Sequence, residues 1–402
     1  MKTVFKSLIP KHIKVVLRKI RLNYQLRKAI KISILKPDDI GESVKIIKPE
    51  TLETITIPEI HDFVYAFNYK IKTPKLELMK YQKAMIFPAS DFIVCPQGAV
   101  WGKYFYPQFT KITPIDRNLI MYKDKSIFIK KMKKIIPVEV GFSLCGVHSF
   151  AWSHFVVQYL PKLYLVGELL DAEEKKITVI LPDRLDPQIR ELVLNYRTHT
   201  RGFEILELQE DEVALCESLY HIENTAWLSE NIKDIGPTDG VIPRFVAESM
   251  KNNFDNMCSN TGNENLIQND FSPPKIFLAR TKIRNVANYD EIEKYFIQKG
   301  YCPVMPHNLS LYEKIRLFQN ASCIVGPVGG GFTNLFFCKK GTKILVFSSF
   351  QRCIDTYLGF LTSNFGLDAK IIIGTDEHRN DINSSFAISL ETIKNVCEAS
   401  GM

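Results

Sequence analysis

The stretch Cys323-Ile324-Val325-Gly326-Pro327-Val328-Gly329-Gly330-Gly331-Phe332-Thr333-Asn334 passes from a short apolar run through three consecutive glycines into a helical pattern. An apolar run of this length bounded by Gly and Pro predicts a buried strand over 323–326, followed by a helix over 331–337. Glycines at such a turn let a backbone or a ligand approach closely, and the helix start behind them offers free N–H groups to an anion. The turn is not a Rossmann GxGxxG, because Val328 holds the middle glycine's place, and not a P-loop, because no Gly-Lys-Ser/Thr follows. Its residues Gly329, Gly330 and Gly331 are a phosphate cradle or a packing turn.

The alternation continues on both sides of this turn. Strands are expected at 275–279, 302–305, 343–347 and 370–373, and helices at 289–299, 310–319, 353–362 and 389–399. Strands alternating with amphipathic helices imply right-handed βαβ units and a parallel sheet whose ligands bind beyond the carboxyl ends of the strands. A helix at 241–253 opens this section, and the Asn-rich residues 252–270 read as a loop. Upstream lies a second α/β section, with a helix at 152–170, a strand at 177–181, a helix at 187–196 and a strand at 204–208. Residues 44–140 instead carry β-branched and aromatic stretches at 43–47, 54–57, 91–95, 118–122 and 127–130, separated by Pro and Gly. The expected fold is α/β with two Rossmann-like lobes around a cleft: a β-rich plus α/β lobe over 44–240 and a C-terminal α/β lobe over 241–402.

Hydrophobic residues at 46% and charged residues at 24% exclude wholesale disorder. The 402 residues hold 52 Lys and Arg against 44 Asp and Glu, a net charge of +8. Residues 1–36 hold eleven of those cations and no acid, which leaves 41 cations against 44 acids, or −3, on the remainder. The basic segment predicts a helix over 10–32, with Ile13, Val16, Leu17, Ile20 and Tyr24 on one face and Lys11, Lys14, Arg18, Arg21 and Lys28 on another. Lys36-Pro37-Asp38-Asp39 breaks it. Such a helix either lies on an anionic membrane surface, where each cation contributes about 1 kcal/mol, or packs on its own domain with the cations in water. The membrane surface is the expected partner of residues 1–36. Nucleic acid is not expected, since the remainder has no basic groove interleaved with aromatics.

The nine cysteines form no CxxC pair and read as reduced thiols. No apolar run approaches the roughly 18–20 residues that span a bilayer, and no uninterrupted signal-peptide core opens the chain. A cytoplasmic location, peripheral on the inner face of the cell membrane, is expected.

Three cations, Arg280, Lys282 and Arg284, follow the strand expected at 275–279. Guanidinium groups chelate phosphate oxygens, so Arg280 and Arg284 could neutralise a departing diphosphate; the plain alternative is a solvated loop. His148 and His154 flank the start of the helix at 152–170, where an imidazole can act as a base near neutral pH or stand under an aromatic cluster. Cys145, His148 and His154 lack a fourth ligand for zinc. No Asp-x-Asp suited to a metal–diphosphate is present, so no metal or other cofactor is expected. The absence of a GxSxG elbow and of GxGxxG with its acidic ribose partner weighs against a hydrolase, an oxidoreductase and a methyltransferase.

The order of these elements resembles glycosyltransferase family 61. The resemblance runs over about residues 90–350 and rests on the His154 helix ending in Leu160-Pro161-Lys162-Leu163, on Arg280 and Arg284 with Asn288 beyond, on Leu309-Ser310-Leu311-Tyr312-Glu313, and on the glycine turn with Asn334 and Phe336-Phe337. It implies a GT-B-like enzyme, of the kind found in bacterial capsular polysaccharide synthesis, that transfers a sugar from a nucleotide-sugar donor to a glycan or lipid-linked glycan acceptor with inversion. The donor co-substrate would bind the C-terminal lobe and the acceptor the N-terminal lobe. By motif matching His154 falls on the family's helix-start His, Arg280 and Arg284 on its paired arginines, and Asn334 on the Asn after its turn. Lys282, Glu313 and His148 are supporting candidates. Ala151, Gln158 and Val328 stand where the family commonly has Asn, an acid and His, which motivates the alternative of a catalytically altered glycan- or nucleotide-binding protein of the same fold.

Overall fold

The computed structural model describes residues 22, 24–62, 65–73, 75–101, 116–171, 173–197, 202–228, 240–260, 273–280, 286–349, 356–376 and 385–402. It is a mixed α/β structure with two large sheets.

The C-terminal sheet follows the expected alternation. Its five parallel strands are Lys275–Leu278, Cys302–Val304, Cys323–Pro327, Lys343–Ser349 and Asp368–Asp376. Numbered along the chain, they lie side by side in the order 2-1-3-4-5. The strand order therefore reverses between Lys275–Leu278 and Cys323–Pro327, and such a reversal opens a crevice at the carboxyl ends of the two strands. Gly326 makes that neighbourhood possible: a Cβ there would lie 2.8 Å from the Leu278 carbonyl oxygen. The short strand Glu59–Ile60 joins the far side of this sheet, parallel to Asp368–Asp376.

Local chemistry explains the helices between these strands. Leu311–Asn320 begins at a capping box in which Ser310 Oγ accepts from the Glu313 amide at 3.3 Å and Glu313 Oε2 accepts from the Ser310 amide at 2.8 Å. Leu390–Ser400 is capped by Ser389 and closes on Gly401 in the left-handed region, φ 61°. The segment Gly330–Phe337 winds as a 3₁₀ helix, tighter than the helix expected there, with Phe332, Leu335, Phe336 and Phe337 all buried.

The other sheet lies mostly within the section expected over 44–240. The β-rich section and the first α/β section form one eleven-stranded sheet. Lys134–Ser143 runs parallel to Thr178–Pro182 and to Glu212–Ile222, and Glu212–Ile222 pairs antiparallel with Leu76–Ile86, which carries the sheet on into the β-rich part. Leu76, Leu78, Ala84 and Ile86 on one strand and Val213, Ala214, Cys216, Leu219 and Ile222 on the other are buried, so neither strand can be left exposed at an edge.

Two expectations change in part. The helix expected at 10–32 lies mostly outside the described residues; residues 22 and 24–26 are helical as expected, but its end is a strand, Ile30–Leu35, pairing with Ser126–Ile129. There Ile30, Ile32 and Ile34 alternate at the period of a strand. The Asn-rich stretch is helical as far as the helix Arg244–Asn260 extends. Val246, Ala247, Met250 and Phe254 continue one buried face into it, and Asn253 Nδ2 donates back to the Ser249 carbonyl at 2.8 Å. Among the described residues seven cysteines are free thiols, six of them buried, and no helix is long and apolar enough to cross a membrane.

Candidate active site

The crevice at the strand reversal is a cleft of about 420 Å³. Arg280, two residues beyond Lys275–Leu278, forms one wall, and Gly329, Gly330 and Gly331, beyond Cys323–Pro327, form the floor. The turn is held from below, since the Val328 amide donates to the Phe347 carbonyl at 2.7 Å. Arg280 Nη1 donates to the Val328 carbonyl, and a Cβ on Gly329 would collide with the guanidinium. The three glycines therefore differ in their demands. A Cβ on Gly329 would push the Arg280 guanidinium aside, whereas a Cβ on Gly330 or Gly331 would meet only atoms at 3.6 Å or beyond.

The opposite wall comes from the helix that follows Lys134–Ser143. This helix starts as an α-turn at Trp152–His154, passes through a π-helical stretch at Phe155–Tyr159 and continues as Leu160–Asp171. π-Turns are rare and concentrate at functional sites. Trp152 and Ser153 line the cleft. Trp152 Nε1 donates to Asn334 Oδ1 at 3.1 Å, while Asn334 Nδ2 donates to the Gly331 carbonyl at 2.9 Å. The indole thus ties this helix to the glycine turn of the other sheet.

His154 lies one residue beyond the cleft lining. Its Nδ1 is 2.8 Å from Gln158 Oε1, and Gln158 Nε2 donates to the Ala226 carbonyl at 3.1 Å. Because the amide nitrogen is committed to Ala226, Oε1 faces the ring, so Nδ1 carries the proton and the lone pair of the neutral imidazole is on Nε2. Gln158 thus holds the His154 ring through Nδ1. The His148 ring lies beside it, with centroids 4.4 Å apart and planes at 31°.

Of the remaining sequence candidates, Lys282 and Arg284 lie outside the described residues. Glu313 spends its carboxylate on the Ser310 capping box, whose hydrogen bonds hold its pKa below the usual carboxylate range. Sequence reasoning passed over Trp152, Asp186, His307 and Lys314, all of which line the cleft. One signal was present for Lys314: it falls on the buried face of its helix, among Leu311, Ile315 and Phe318, where a lysine is out of place. Burial pulls the Lys314 ammonium down to about 8, with Asp186 acting in the opposite direction. Among the described residues no three His, Cys, Asp or Glu side chains gather as a metal site.

Residues 152–345 match the model of the family Glycosyltransferase 61. Comparison with curated proteins found no match. The matched stretch begins at Trp152, in the wall of the cleft, and ends at Leu345, in the strand after the glycine turn, so it contains every cleft-lining residue described above. Across residues 152–345 the chain is a match to glycosyltransferase family 61, and the activity that this family supports is glycosyl transfer.

Proposed function

We propose that the chain is an inverting glycosyltransferase that moves a sugar from a nucleotide-sugar donor to a hydroxyl of a growing surface glycan such as a capsule, lipopolysaccharide or related polysaccharide. The observation that carries this reading is the placement of Arg280, the glycine turn and Asn334 in one cleft at the strand reversal of a parallel sheet. Two lobes, 44–240 for the acceptor and 241–402 for the donor, would meet there in a GT-B-like arrangement.

In this reading the donor diphosphate lies against Arg280 and the amides of residues 329–331. Nε2 of His154 takes the proton of the acceptor hydroxyl, and the oxygen attacks the anomeric carbon from the face opposite the diphosphate. As the new C–O bond forms, the old one breaks and its electron pair goes to the diphosphate. The charge developing there is met by the guanidinium and by backbone N–H groups that need no reorganisation. Arg284 and Lys282 would add to the same field. Residues 1–36 would hold the enzyme on the inner face of an anionic membrane, close to lipid-linked acceptors.

Ala151 and Val328, which stand where the resemblance would place Asn and His, motivate a second reading, a protein of the same fold that binds a nucleotide or glycan without turnover. Release of nucleoside diphosphate from nucleotide-sugars in the presence of candidate acceptors separates the two. Acceptor-dependent release supports the enzyme, and tight diphosphate binding with no release under any acceptor supports the binder.

A further inference from the structure

Lys314 is 3% exposed yet lines the donor cleft. Its ammonium donates to Gln188 Oε1 and sits 3.8 Å from the centroid of a Trp152 ring. Both partners are neutral. Gln188 is held in turn by its own bond to the Leu309 carbonyl. Taking an ammonium out of water costs several kcal/mol, which neutral partners do not return, and a methionine or leucine would fill this helix position without that cost. A buried cation facing a cleft, bonded to neutral partners and, among the described residues, with only the Asp186 carboxylate acting on it, fits a further counter-charge that arrives with the ligand.

The geometry says where that charge would sit. Trp152 presents its ring to Lys314 and its N–H to Asn334, so the ammonium and the end of the glycine turn flank a single indole. Arg280 reaches the beginning of the same turn, at Val328. We propose that Lys314 is a second cation of the donor cleft, binding the diphosphate of the nucleotide-sugar from the Trp152 side while Arg280 binds it from the Val328 side. The inference rests on the donor-cleft reading above. An anion arriving there displaces Gln188 as the partner of Lys314, and the titratable or charged groups around it in the cleft are Asp186, His307 and Arg280.

The test is calorimetric titration of the full chain with inorganic pyrophosphate and with uridine, guanosine and cytidine diphosphates, for wild type, Lys314→Met, Lys314→Arg and Arg280→Ala. Lys314→Met should melt no lower than wild type, because it removes a buried charge, yet bind pyrophosphate about tenfold or more weakly. Lys314→Arg should recover most of that loss. A merely structural lysine would give the opposite pattern, lower melting with unchanged binding, and would overturn the proposal. If Lys314→Met binds as wild type while Arg280→Ala is impaired, the inference falls and the donor cleft stands. If wild type binds none of the four probes, the donor-cleft reading falls and takes this inference with it.

Discussion

Trp152 Nε1 donates to Asn334 Oδ1 at 3.1 Å across 182 residues of sequence. The bond joins the helix that bears His154 to the turn that bears Gly329, and so sets the candidate base and the candidate diphosphate cradle in one frame. Asn334 is 2% exposed and lines the cleft. Asn334→Ala strands the indole N–H and should cost about 1–3 kcal/mol, read as a lowered melting temperature. It should also weaken nucleoside diphosphate binding, because the turn loses its tie to Trp152. Unchanged stability and binding would remove this bond from the account.

The glycine turn gives a paired prediction. Gly329→Ala drives a methyl group into the Arg280 guanidinium, whereas the nearest atoms to a Cβ on Gly330 are those of Ser153 at 3.7 Å, ordinary contact. Gly329→Ala should therefore displace the guanidinium and weaken diphosphate binding, by less than the roughly tenfold or more expected of Arg280→Ala, and Gly330→Ala should leave it within about threefold, a change under 1 kcal/mol. Titration of both variants checks the contrast.

Gln158→Glu places a carboxylate beside His154 in place of an amide. The charge favours imidazolium, so the pKa of the ring rises, and the acid limb of the pH–rate profile should move up by about one unit or more. The same change removes the N–H donor to Ala226 and should cost about 1–3 kcal/mol of stability. A profile that does not move would show that His154 is not the titrating base.

Asp116 supplies a test of stability against pH. It is buried, its Oδ1 accepts from Ser90 Oγ and the Asn118 amide at 2.8 Å each, and desolvation pushes its carboxyl up to about 7, against those hydrogen bonds. A carboxyl with a raised folded-state pKa holds a proton that the unfolded chain has already released, so its contribution is present below the unfolded value and is lost as pH rises through about 7. Asp116→Asn keeps the Oδ1 acceptor and should flatten the fall in melting temperature between about pH 4 and 7, the window between a free and a buried carboxyl. An unchanged slope would place the titration elsewhere.

The C-terminal sheet was legible because each of its strands is a short apolar run and each helix carries its own amphipathic face and caps, as Ser310 with Glu313 and Ser389 show. The single large sheet was not. Leu76–Ile86 and Glu212–Ile222 pair across more than a hundred residues, and positions such as Lys80, which donates to Tyr220 at 3.1 Å, interrupt the alternation that marks a strand. The site divides in the same way. Arg280 and the glycines announce themselves by position after a strand. Lys314 and Gln158 depend on partners distant in the chain, Trp152 and Gln188 for one and Ala226 for the other, so their roles emerge only once the chain is folded.

The central claim is that the diphosphate of a nucleotide-sugar is held between Arg280 and the glycine turn. Crystals of the full chain soaked with uridine, guanosine and cytidine diphosphates test it most directly. The account predicts diphosphate density within hydrogen-bonding distance of the Arg280 guanidinium and of the amides of residues 329–331. A diphosphate bound elsewhere on the protein, or none bound at millimolar concentration, would contradict it.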